Sequence, residues 1–138
     1  MINQALCNSF KVEILQGIHQ PLDDYRMALY TSDADLSKDT AVYATIEEVA
    51  ADRDYPQGGV SMGMPTIVLL GDVAIMDFED VVIELTTITA RGALIYNASK
   101  GNKAVAVLDF GKDISATDGT LTISLPQPSA GTALIRIA

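Results

Sequence analysis

Residues 88–111, ITARGALIYNASKGNKAVAVLDFG, constrain the fold of this chain more than any other segment. Two β-prone apolar runs, 93–96 and 104–110, flank a polar stretch at 97–102 whose Asn, Ser, Gly and Lys residues tolerate turn backbone and prefer water. The segment reads as a β-hairpin and contains nothing that looks catalytic. Arg91-Gly92 interrupts the first run. A glycine inside a strand marks a bulge or a close backbone approach. A second reading has the bulge aim the planar Arg91 fork at a carboxylate on a neighbouring subunit.

The same rhythm extends through most of the chain. Apolar runs at 25–30, 66–70, 73–77, 81–85, 88–96, 103–110, 120–125 and 132–137 are joined by Gly71-Asp72, Glu79-Asp80, Thr86-Thr87, 97–102, Asp118-Gly119 and 126–131. About eight short strands with tight turns predict an all-β fold, an antiparallel β-sandwich or jelly roll. Residues 31–38 read as a polar loop, and 45–49 as a helical turn or short strand.

One helix is expected. Phe10, Ile14, Leu15 and Ile18 recur at helical spacing, Asn8 and Ser9 are candidate N-caps, and Pro21 stops the run, with Gly17 weakening the last turn. The helical segment should cover about 8–19 within a single β-sandwich domain spanning 1–138.

The chemical inventory is sparse. His19 is the only histidine and Cys7 the only cysteine, so any nucleophilic dyad must use one or both. His19, between a helix and Pro21, is expected to be solvated or helix-capping, and Cys7 to be a buried or tolerated thiol. A lone cysteine forms no internal disulfide and fits a reducing compartment. Asp33, Asp35, Ser37 and Asp39 begin like a calcium loop, but Lys38 replaces the glycine and Ala44 the closing glutamate. Asp77, Glu79 and Asp80 form a second acidic knot; solvated loops explain both better than a cation. Gly58, Gly59 and Gly63 match no dinucleotide or phosphate loop. Asn97-Ala98-Ser99 fits the glycosylation triplet, which carries little weight without a secretory signal. No catalytic, cofactor-binding or metal-ligating residue is expected, nor a small-molecule substrate.

Nine basic against 18 acidic residues give a net charge of −9, spread along the chain. Phosphate neutralisation needs a basic patch, so nucleic-acid binding is not expected. No apolar run approaches the roughly 20 residues that span a bilayer, and the N-terminus lacks the basic start and apolar block of a signal peptide.

An ordered series of segments resembles small virion structural proteins of tailed bacteriophages, of the capsid decoration or cement type. It runs through Phe10-Lys11 with residues 14–19, residues 28–32, Glu48-Val49, Tyr55 leading to Gly58-Gly59, Asp77-Phe78 with Asp80, residues 89–97 and residues 108–111. Two places depart from the pattern: residues 50–54 replace a Gly-rich link, and Ile83 stands where similar chains often carry Trp.

The resemblance implies a non-enzymatic protein of the phage particle. The expected partners are the major capsid protein and further copies of the chain, as a homodimer or homotrimer. Acidity favours the capsid exterior, where solvent and ions screen the charge, over a surface facing packaged DNA. Such a protein is made in the bacterial cytoplasm and ends on the virion. Phe10, Arg91, Tyr96 and Asn97 are the expected interface residues. A neck, tail or fibre-associated adaptor shares this signature. A small carbohydrate-binding β-sandwich is the competing class, disfavoured because the chain has no Trp and few Tyr and Phe residues on which sugars stack.

Overall fold

The computed structural model describes residues 1–126, 129 and 131–138. In chain order it contains β1 (Ala5–Leu6), α1 (Asn8–Leu15), β2 (Tyr25–Tyr30), β3 (Val60–Ser61), β4 (Thr66–Leu70), β5 (Val73–Asp77), β6 (Val81–Asn97), a 3₁₀ turn (Ala98–Lys100), β7 (Lys103–Ile123) and β8 (Ile135–Ile137). The strands form two antiparallel sheets, ordered β1-β7-β6-β2-β3 and β4-β5-β8. The all-β sandwich expectation holds. Positions 127, 128 and 130 of the expected 126–131 turn lie outside the described residues.

The hairpin at 88–111 forms as read, and its turn is closed locally. The Asn97 side chain accepts the Ser99 backbone N–H, and Gly101 and Asn102 follow with left-handed backbone. What differs is length. The runs at 81–85 and 88–96 fuse into the 17-residue β6, and those at 103–110 and 120–125 fuse into the 21-residue β7.

The expected turns at Thr86-Thr87 and Asp118-Gly119 are irregularities within that long hairpin, where the register shifts on both sides of Thr86. The physical reason is a loop that arrives from elsewhere. The Asp52 carboxylate accepts the Thr87 N–H at 2.7 Å and the Thr86 hydroxyl at 3.2 Å. Asp54 exchanges backbone and side-chain bonds with Leu85, and Arg53 bridges Thr87 Oγ1 and Asp118 Oδ1, each at 2.7 Å. Groups that favour a turn in an isolated peptide are satisfied by this clasp, so the strands continue. The clasp is built from Asp52, Arg53 and Asp54.

Gly92 behaves as its position in a strand suggested. The register shifts between Ala90 and Gly92, and a Cβ there would sit 2.5 Å from the Leu108 carbonyl oxygen and 2.9 Å from Ile2. Only glycine lets the strands and the N-terminal segment approach so closely.

The helix is shorter than expected. Gly17, at φ +72°, ends it: the Gly17 N–H bonds to Ile14 O and the Ile18 N–H to Glu13 O, a Schellman closure. Pro21 therefore follows the stop instead of causing it. At the other end Cys7 holds the N-cap position without a side-chain bond, while Asn8 accepts from Lys11 Nζ and caps nothing.

Burial divides the molecule. In β2, β6 and β7 the consecutive residues Met27 to Tyr30, Ala93 to Asn97 and Ala104 to Leu108 are all buried, so both faces of this part of the five-stranded sheet are covered. Along residues 81–90 burial alternates instead, leaving Val82 and Leu85 exposed. In β4 four of five residues are exposed.

Candidate functional site

Tyr96 and Asn97 are neighbours in β6, so their side chains leave opposite faces of the sheet. Each enters a polar cluster, and between them these hold His19 and four of the five tyrosines.

On the Asn97 face, Asn97 Oδ1 accepts the Ser99 N–H at 3.0 Å, which orients the amide. Its Nδ2 then donates to Asp23 Oδ2 at 2.8 Å and to His19 Nδ1 at 3.0 Å. That direction assigns the His19 proton to Nε2, which donates to Glu13 Oε1 at 2.9 Å. Lys100 Nζ reaches both Asp23 oxygens at 2.8 and 2.9 Å, and the Gln20 N–H adds a further bond. Against the upward push of burial, the bonds from Lys100, Asn97 and Gln20 hold the Asp23 carboxyl down at about 2.

The expectation of a solvated or capping His19 is therefore corrected. Its side chain is fully enclosed and its ring lies 4.7 Å from that of Phe10. The early helix stop returns the chain beneath α1, and the amide of the hairpin turn receives it.

On the Tyr96 face the centre is Glu48. One carboxylate oxygen accepts the Tyr43 hydroxyl, and the other accepts the Tyr55 hydroxyl and the Gly58 N–H, both at 2.8 Å. Tyr55 Oη in turn accepts the Leu29 N–H at 2.8 Å, Tyr96 donates to Gly58 O at 2.5 Å, and Tyr30 donates to Ala44 O at 2.6 Å. Tyr43 and Tyr96 stack at 4.7 Å. Burial raises the hydroxyls of Tyr30, Tyr43, Tyr55 and Tyr96 above the usual phenol range, and Glu48 adds to the rise.

The Asn97 cluster contains the residue types of a nucleophile–base–orienter set, with Cys7 beside it. The geometry does not activate the thiol. Cys7 is completely buried; desolvation, with the nearby Glu13 charge, pushes its pKa up to about 11, and both His19 nitrogens bind other groups. The tyrosine cluster likewise spends its donors on holding residues 43–59 against β2 and β6.

Of the expected interface residues, Phe10, Tyr96 and Asn97 are buried inside the chain itself. Arg91 is partly exposed, and its Nε donates to Asp109 Oδ1 at 3.2 Å across the hairpin of the same chain. Its carboxylate partner is therefore intramolecular, and its own side chain joins none of the other three.

The acids at 33–39 stand apart: Asp35 lies 3.8 Å from the N-terminal amine and Asp39 pairs with Lys38. Among the described residues no three acidic, His or Cys side chains are arranged to hold a metal ion. Asp77 is buried in β5 with Oδ1 unpartnered, and desolvation raises its pKa. Among the described residues no helix is long and apolar enough to cross a membrane. Comparison with known proteins returned no matching family model, no matching curated protein and no matching solved structure.

Proposed function

We propose that this chain is a non-enzymatic structural protein of a tailed-phage particle, a cement or decoration protein bound to the outer shell. The observation that carries this reading is the ordered resemblance running from Phe10 to Gly111. Many of the residues that carry it, among them His19, Glu48, Tyr55, Tyr96 and Asn97, bind one another or the backbone inside the protein. What recurs in that pattern is a framework, which suits a protein that works by contact.

The acidic surface supports an exterior position, where repulsion from packaged DNA is not felt. Burial of Tyr25, Tyr30, Tyr55, Tyr96, Phe10 and Phe78 leaves few aromatic faces for sugars, which weighs against the carbohydrate reading. A cement protein touches more than one capsid subunit. Once the first contact forms, the second forms at high effective concentration, so individually weak contacts oppose separation of the shell.

Particles assembled without the protein are expected to release DNA at lower temperature or milder osmotic shock than complete ones. Copy number tests the placement: a shell protein scales with capsid subunits, whereas a neck or tail adaptor is present as a single ring. Equal robustness with no copies on the shell would sink the reading.

A further inference from the structure

We propose that the free edge of β4 recognises a second copy of this chain, with the two β4 strands pairing antiparallel about a two-fold axis at Val68. β4 has β5 on one side and, among the described residues, no strand on the other. Its sequence, TIVLL, carries no charge and no proline. Ile67 is 54% exposed, Val68 42% and Leu69 66%, so apolar side chains stand open on both faces of the strand.

The other sheet edges are blunted. β1 and β3 are two residues long, β8 is three residues long and carries Arg136, and where β6 and β7 run on beyond β2 and β1 they carry Glu84 and Lys112, Asp113 and Asp118. Short edges and edge charges are how β-proteins suppress unwanted pairing. Among the described strands β4 alone offers a long, uncharged, apolar edge. In a chain of net charge −9, contact between copies requires a surface free of like-charge opposition, and this edge supplies one.

Backbone geometry fixes the register. Leu70 pairs with Val73 across the two-residue turn Gly71-Asp72, and Val68 pairs with Ile75. In an antiparallel ladder the bonded positions alternate, so the N–H and C=O groups of Ile67 and Leu69 point away from β5. Placing Ile67 opposite the second copy's Leu69, and Leu69 opposite its Ile67, lets both pairs exchange their bonds. Val68 then faces the other Val68 in a non-bonded pair, where side chains approach closest. Thr66 meets Leu70, and Asp72 falls opposite Met64, so no like charges oppose.

The pairing also extends an apolar face. Leu69, Ala74 and Ile137 stand in one cross-strand row and Ile67, Met76 and Ile135 in the next, all directed to one side of the sheet. Joining two copies sets Ile67 of each beside Leu69 of the other. Two-fold pairing closes after two chains, because the opposite edge is β8.

This inference concerns the isolated chain and does not rest on the shell reading; loss of shell binding leaves it intact. The interface is small, so a weak dimer is expected. Sedimentation of the full chain should shift from monomer to dimer as concentration rises to about 100 µM. Val68→Lys should weaken dimerisation about tenfold or more with the thermal midpoint unchanged, since edge lysines oppose strand pairing.

A second variant needs no loss of function. Val68→Cys, incubated with oxidised glutathione, should form a disulfide-linked dimer, because non-bonded cross-strand pairs lie within disulfide range. Leu22→Cys, exposed on a loop, serves as the control, and Cys7 is buried and does not compete. A chain that stays monomeric throughout overturns the proposal. So does cross-linking of Val68→Cys no faster than the control, or growth into open-ended assemblies.

Discussion

Leu94 in β6 and Leu69 in β4 are both leucines within uncharged β-prone runs, yet Leu94 is fully buried and Leu69 is 66% exposed. The difference lies in their neighbours. Leu94 has β2 and β7 on its two sides and covered faces, whereas Leu69 has β5 on one side and open faces. Strand formation follows local preference, but burial follows from flanking strands and covering layers. Part of the five-stranded sheet is covered on both faces, whereas the three-stranded sheet leaves most of β4 exposed.

The contrast extends to two carboxylates, one partly buried and one buried. Asp23, beside the hairpin turn, is satisfied by Lys100, Asn97 and Gln20, while Asp77 in β5 leaves one oxygen unpartnered. The two shift in opposite directions for that reason.

The largest expected effect tests the contrast in packing. Leu94→Ala should cost about 3–5 kcal/mol in urea unfolding, because the enclosed site cannot collapse around the lost methyls. A loss much below that would place the core elsewhere.

Next comes the tyrosine cluster. Glu48→Ala removes the acceptor for Tyr43, Tyr55 and the Gly58 N–H and should cost about 2 kcal/mol. Limited proteolysis should then cut within residues 43–59 before the sheets. Unchanged protease resistance would mean that the loop is held by apolar contacts alone.

Acid unfolding separates the two carboxylates. The folded pKa of Asp23, about 2, lies below the unfolded 3.8, so its stabilisation is present above the unfolded value and is lost as pH falls towards 2. Asp23→Asn should cost about 1–2 kcal/mol at neutral pH and flatten the decline of the melting temperature in acid. For Asp77 the sign reverses. Its folded pKa is raised, so its favourable contribution is complete below the unfolded value and disappears as pH rises through the folded one. Asp77→Asn should therefore raise the melting temperature at pH 7, by about 1 kcal/mol of stability, with the gain vanishing in acid. A loss at pH 7 would show that the Asp77 carboxylate, which accepts backbone N–H bonds from Phe78 and Leu134, gains more from them than its buried charge costs.

The smallest effect belongs to the exposed sheet. Leu69→Ala should change monomer stability by no more than about 0.5 kcal/mol, measured in dilute solution. A larger cost would dissolve the contrast with Leu94.

The sequence by itself determined the all-β class, the hairpin with its 97–102 turn, and the bounds of β2, β4 and β5, because turn chemistry and strand preference act over a few neighbouring residues. It left Cys7 as a buried or tolerated thiol and Gly92 as a bulge or close approach, both properties of residue type; the structure buries Cys7 and shows both features at Gly92. Tertiary structure decided the rest. Thr86 and Asp118 stay within strands because Asp52 and Arg53 reach them from more than thirty residues away. His19 lies inside because Asn97, 78 residues distant, receives it; Phe10 packs against its ring, and on the other face Tyr96 is buried against Gly58 and Tyr43. A run such as TIVLL reads alike at the centre of a sheet or at its edge. Only the assembled strand order leaves Ile67 and Leu69 with β5 on one side and no second strand among the described residues, since burial is a property of what packs alongside and not of the residues themselves.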